Sequence, residues 1–190
     1  MERLQRVAVI VSLVEKLNSK GSWSGETHVQ KTMYFLQELL RVPLEYDFIL
    51  YKHGPYSFDL SDDITAMRAD TLLKLDPQPP YGPRIVLGEE SEQVKRRFPK
   101  TIAQYNAETS FVAERLGPMR VVELERVATA LYVTRELGES ADCESRARRV
   151  RELKPHISLE QACDALRQVD TFIEGARTLH AAHQNVSAHA

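Results

Sequence analysis

The chain is poor in the residues that mark a specialised class. It has two cysteines, Cys143 and Cys163, with no CxxC spacing between them. That excludes a disulfide framework and a zinc ribbon, and leaves reduced thiols as the expectation. No apolar run approaches the roughly 20 residues that cross a bilayer. The nearest thing to a secretory leader is Val7–Val14 behind Arg3 and Arg6, but Glu15 and Lys16 follow at once and no A-x-A cleavage pattern appears. The expectation is a cytoplasmic protein without a membrane role. A basic excess is also lacking: 25 lysines and arginines face 27 acids, a net charge of −2. A dedicated nucleic-acid binder carries a stronger basic footprint. No P-loop, G-x-G-x-x-G, H-E-x-x-H or G-x-S-x-G occurs, so no catalytic residue, metal or cofactor is expected.

What is present is ordinary globular material. Apolar residues make up 43% and charged residues 27% of 190, enough for a real core. Residues 2–18 carry Leu4, Val7, Val11 and Val14 at helical spacing, widened by Ile10, Leu13 and Leu17. A second helix is expected over 27–41 with a Thr27–Gln30 capping box, then a strand over 46–52 and a turn at 53–56. Ser57 caps a third helix to about Asp70. Short strands over 71–75 and 84–88 flank a proline-rich loop, 76–83. The remainder reads as helices at about 89–97, 100–115, 120–137, 142–153 and 158–178, the last opened by a Ser158–Gln161 capping box. Its stripe of Leu159, Ala162, Leu166, Val169, Ile173 and Ala176 suits a core, or the seam of a homodimer. The fold class is therefore α+β, mainly α. A winged-helix-like part (1–88) packs on a helical bundle (89–178) as one compact unit, with a flexible tail from 179 to 190.

Histidines and charges give little chemistry. His53 and Ser57 stand four apart with Asp59 nearby, but a turn separates them and capping accounts for Ser57. His180 and His183, with His189 beyond, have no acid or thiol at ligand spacing and read as solvated. In a winged helix the third helix would enter the major groove, yet here four aspartates (59, 62, 63 and 70) face one arginine, Arg68. Phosphate attraction dominates such binding, so that docking mode is disfavoured. Two basic clusters keep another mode open: Lys95, Arg96, Arg97 and Lys100, and the run containing Arg146 and Arg149. Each could meet phosphate or an acidic partner.

One stretch carries a family likeness. Gln-Lys-Thr-Met-Tyr-Phe-Leu-Gln (30–37), Tyr-Asp-Phe-Ile-Leu-Tyr-Lys-His-Gly-Pro-Tyr-Ser (46–57), Ala-Thr-Ala-Leu-Tyr (128–132) and Glu-Leu-Lys-Pro-His-Ile-Ser-Leu-Glu-Gln-Ala (152–162) resemble the Panacea (SocA-like) antitoxin domains and their Gly-Pro-Tyr-Ser bacterial relatives. The resemblance implies a non-enzymatic protein that neutralises or regulates a protein partner, such as a toxin, by direct binding. The candidate contact surface is the corner formed by Lys31, Tyr34, Lys52, His53, Tyr56 and Ser57. From the residues alone this corner either pins the third helix or builds a partner pocket. The alternative is a DNA-binding transcriptional regulator that uses the wing and the basic segments.

Overall fold

An apolar run without a polar face has to be covered on every side, and the first helix shows it. Helix α1 (Arg3–Ser19) buries every residue from Val7 to Val14, and Leu17 with them. In the computed structural model, which describes residues 1–79 and 81–187, α1 packs against strand β4 (Tyr81–Leu87) and helices α4 (Ser91–Arg97), α5 (Pro99–Gln104) and α6 (Asn106–Leu116). Helix α2 (Glu26–Glu38) packs on α6 as well.

Local polar groups set where α2 and its neighbours start and stop. The expected Thr27–Gln30 capping box does not form: α2 begins one residue earlier, on Gly25, with no capping side chain. Gln30 is engaged elsewhere, as described below. The helix ends at Glu38 rather than 41, and Arg41 and Glu45 then adopt φ values of 59° and 60°. Of the strand expected over 46–52, only β1 (Ile49–Tyr51) forms. It pairs with β2 (Gly54–Tyr56), which lies where a turn was expected. Lys52 and His53 are the loop between them, and Gly54 sits at φ 86°, a conformation that glycine adopts without strain. Helix α3 (Phe58–Ala69) opens as expected, with Ser57 Oγ accepting from the Leu60 N–H at 3.3 Å.

Strand β3 (Leu73–Gln78) and β4 take up most of the expected loop. A two-stranded ribbon gives each strand a free edge, where a proline costs no ladder bond. Pro77 falls where the register is interrupted, between Asp76 and Gln78, and Asp76 pairs with Arg84 across the ribbon at 3.0 Å. Pro80 lies outside the described residues. The helix expected over 100–115 is split at Tyr105 into α5 and α6.

The chain divides into two compact units, and not near residue 88. The first comprises Met1–Ile49 and Tyr56–Val121; the second comprises Leu50–Pro55 and the chain from Val122 onward. The reason for the shift is α1, whose all-round apolar surface recruits α4, α5 and α6. In the second unit α8 (Cys143–Leu153) packs on α9 (Leu159–Ser187), behind α7 (Val121–Leu137) in the sequence. The Ser158–Gln161 capping box forms in both directions, at 3.2 Å each. Helix α9 continues through Ser187 instead of ending near 178; residues 188–190 lie outside the described residues. Ala162, Leu166, Val169, Ile173 and Ala176 are buried in the chain's own fold, while Leu159 is exposed. Among the described residues the architecture is mainly helical, with two small antiparallel sheets. No helix there is long and apolar enough to cross a membrane.

Candidate interaction site

Two glutamines seven residues apart on α2 explain the Gln-x-x-x-Tyr-x-x-Gln part of the motif. Gln30 donates to the Ser57 carbonyl and accepts from the Ser57 N–H, both at 2.9 Å. Gln37 does the same to the backbone of Tyr46, again at 2.9 Å on both sides. Each side-chain amide stands in for a neighbouring strand, which is why Tyr46 lies outside β1. Tyr34 packs edge-on against Phe48 with ring centroids 5.2 Å apart. The Tyr46 hydroxyl donates to Asp63 at 2.8 Å, and Arg3 pairs with the same carboxylate at 3.0 Å. Burial, together with Asp63, pushes the Tyr46 phenol upward.

This packing divides the six expected contact residues. Lys31, Tyr34 and Ser57 are 1%, 3% and 0% exposed and act inside the fold. A partner cannot touch side chains placed there, so their assignment as contact residues is corrected. Tyr56 is half-buried, its hydroxyl donating to Glu26 at 3.1 Å. Lys52 and His53 are exposed on the hairpin loop.

In the second unit that loop is held from behind. Lys154, 5% exposed at the end of α8, donates to the Tyr51 carbonyl at 2.9 Å and to the Lys52 carbonyl. Its ammonium also lies 3.3 Å from the Glu125 carboxylate on α7. The rings of His53 and His156 stand 3.5 and 3.7 Å from that same carboxylate. No sequence spacing signals this arrangement, because Lys154 acts on residues more than a hundred positions away.

The basic clusters separate in the same way. Arg146 is 5% exposed and makes two bonds to Asp170, at 2.7 and 2.9 Å. Arg149 is bound to Glu136 and Glu152, and Lys95 to Glu15 and Glu92. Arg146 is buried and is therefore corrected as a contact to phosphate or an acidic partner, while Arg149 and Lys95 are half-buried and ion-paired within the chain. Arg96, Arg97 and Lys100 remain exposed and make no ion pair among the described residues. Among the described residues no group of three His, Cys, Asp or Glu side chains is arranged to hold a metal. The His180/His183/His189 set is only partly accessible to this question: His189 and the side chain of His183 lie outside the described residues.

The first unit contains a cleft with no counterpart among the sequence expectations. Its volume is about 370 Å³, and its walls are the first turn of α2, Trp23, Arg68 on α3 and the β3–β4 ribbon around Pro83. A second cleft of about 800 Å³ shares Trp23, His28, Gly82 and Val121 with it. His28 is 1% exposed, its ring set against the backbone of Leu116, Gly117 and Met119. Burial pushes its imidazole below the usual histidine range, opposed by the nearby carbonyls of Leu116, Met119 and Gly117.

Searched against models of known protein families, the chain matches none. No curated protein matches it either.

Proposed function

We propose that this is a non-enzymatic interaction protein that neutralises or regulates a protein partner by direct binding, as its resemblance to the Panacea antitoxin domains implies, and that it does so in the cytoplasm. The contact is the hairpin tip Tyr51-Lys52-His53. One observation carries the reading: the buried Lys154 ammonium binds the Tyr51 and Lys52 carbonyls, so the tip's backbone is fixed while its side chains face outward. A loop ordered before binding loses less entropy on association. Tyrosine is among the residues that most often anchor interfaces, and Tyr51 is exposed at the tip. The buried members of the corner support the site from within.

Capture from the source cell tests this. Tagged full-length chain should retain a specific protein, and the double variant Tyr51→Ala, Lys52→Glu should lose it with an unchanged thermal melt. Equal capture by the variant would remove the tip from the interface. A second reading, DNA binding, rests on the exposure of Arg96, Arg97 and Lys100. Three charges would release counterions with a log–log salt slope of about −2 to −3. No duplex binding at low ionic strength refutes it.

A further inference from the structure

We propose that Cys143 and Cys163 are a redox-sensitive pair, closed to a disulfide by oxidised glutathione or another small disulfide and reopened by thiols. They are the chain's two cysteines, one on α8 and the other on α9. Both are free and half-buried, so a small molecule reaches them. Packing of α8 on α9 brings the thiols together, and Cys143 hydrogen-bonds to Cys163. Two further contacts fix that meeting. Asp142 caps α8 by accepting from the Ser145 N–H at 2.9 Å, which holds the backbone on which Cys143 stands. One turn on, Arg146 forks onto Asp170 of α9 at 2.7 and 2.9 Å. Thiols that touch across a fixed helix pair have already lost most of the freedom that a bridge removes.

Burial and the hydrogen bond keep the proton on Cys143, against the pull of the Arg146 and Arg167 guanidinium groups. Cys163, the acceptor of that bond, is therefore the sulfur that attacks first. Its proton passes to water, and the thiolate bonds to one sulfur of oxidised glutathione. The S–S bond of glutathione breaks and one glutathione thiolate leaves. Cys143 then gives up its proton to water, attacks the Cys163 sulfur and expels the second glutathione thiolate. Two protein thiols lose two electrons in all, and one glutathione disulfide is reduced to two thiols. Disulfides in a reducing compartment are mostly transient, catalytic or redox-sensing, and a half-buried pair within one chain fits the last. The bridge ties the start of α8 to α9, while the end of α8 carries the Lys154 ammonium that holds the hairpin loop.

Full-length chain, native and unfolded in urea, is equilibrated in glutathione redox buffers, quenched with N-ethylmaleimide and weighed by mass spectrometry. The native chain should lose two hydrogens, resist the maleimide at both cysteines and regain both sites with dithiothreitol. Contact in the fold should let the bridge form in a buffer less oxidising, by about tenfold or more, than the unfolded chain requires. Cys143→Ser, checked for its fold by circular dichroism, should carry a single glutathione adduct on Cys163 instead. A native chain that stops at glutathione adducts, or that links to a second copy on a non-reducing gel, overturns the proposal. So does a bridge that forms no more readily in the folded chain than in the unfolded one, because the fold then contributes nothing to it. Loss of two hydrogens that persists in Cys143→Ser also overturns it.

Discussion

Replacing Gln30 tests whether the α2 corner is held by its side-chain amide or by apolar packing. In the native fold that amide satisfies both the N–H and the C=O of Ser57, at 2.9 Å each, in a place where Gln30 and Ser57 are both 0% exposed. Gln30→Ala removes two hydrogen bonds and strands the Ser57 N–H away from water, while the Ser57 carbonyl still accepts from the Ser61 N–H at 3.2 Å. The stranded N–H costs about 1–3 kcal/mol and the second lost bond about 1 kcal/mol, so a loss of about 2–4 kcal/mol is expected. With a urea slope of about 2 kcal/mol per molar, the midpoint falls by about 1–2 M. Gln30→Leu separates the two explanations, because it restores volume without restoring either bond. If the polar account is right, the leucine is no better than the alanine. The Gln37→Ala variant loses the matching pair on Tyr46 from a half-buried position, where water can compensate, and should cost about half as much. Trp23 emission follows unfolding of the unit that contains all these residues. Native stability in the Gln30→Leu variant, or a larger loss at Gln37 than at Gln30, would refute the reasoning.

Arg146→Ala should destabilise the second unit by about 1–3 kcal/mol, because it removes a buried fork bound twice to Asp170. Arg149→Ala, whose pairs lie near the surface, should cost under about 1 kcal/mol by the same chemical denaturation. His28 titrates below its ordinary 6.5 because it is buried. The unfolded chain then binds the proton more readily, so stability is complete above about pH 6.5 and declines as the pH falls toward the folded value. Denaturation curves taken across that window should show the decline, and His28→Phe should flatten it. The Cys143 thiol is pushed up by burial and by its hydrogen bond with Cys163. Its alkylation by iodoacetamide near pH 8 should be slower than that of an unfolded control, and Cys163→Ala should speed it, as read by mass spectrometry.

Helical periodicity and caps make most of the architecture legible. Ser57 and Ser158 act where their side chains and the residues three positions on say they should. The failures share a cause. The Thr27–Gln30 box is locally sound, but Gln30 has a better use on backbone 27 residues away, and sequence spacing contains no such information. Pro77 and Pro83 argue for a loop because a proline in a central strand would be costly; a free-edged ribbon removes that cost. At the candidate site, residue types are readable and burial is not. Lys31 and Arg146 look like surface cations until their surroundings are known. Lys52 and His53 need only a turn to be exposed, and turns are local.

The loop that Lys154 holds belongs to one unit by packing and to the middle of the other by chain order. Residues 50–55 leave the first unit and rejoin it at Tyr56. The second unit therefore cannot be obtained as a continuous segment. A fragment starting at Val122 would bury Lys154 without the two carbonyls that receive its ammonium, leaving Glu125 as its remaining anchor. During synthesis the hairpin must likewise wait for about a hundred further residues before its holder exists. Until then the tip is a loop without a backing, and any partner that requires the ordered tip can recognise only the completed chain.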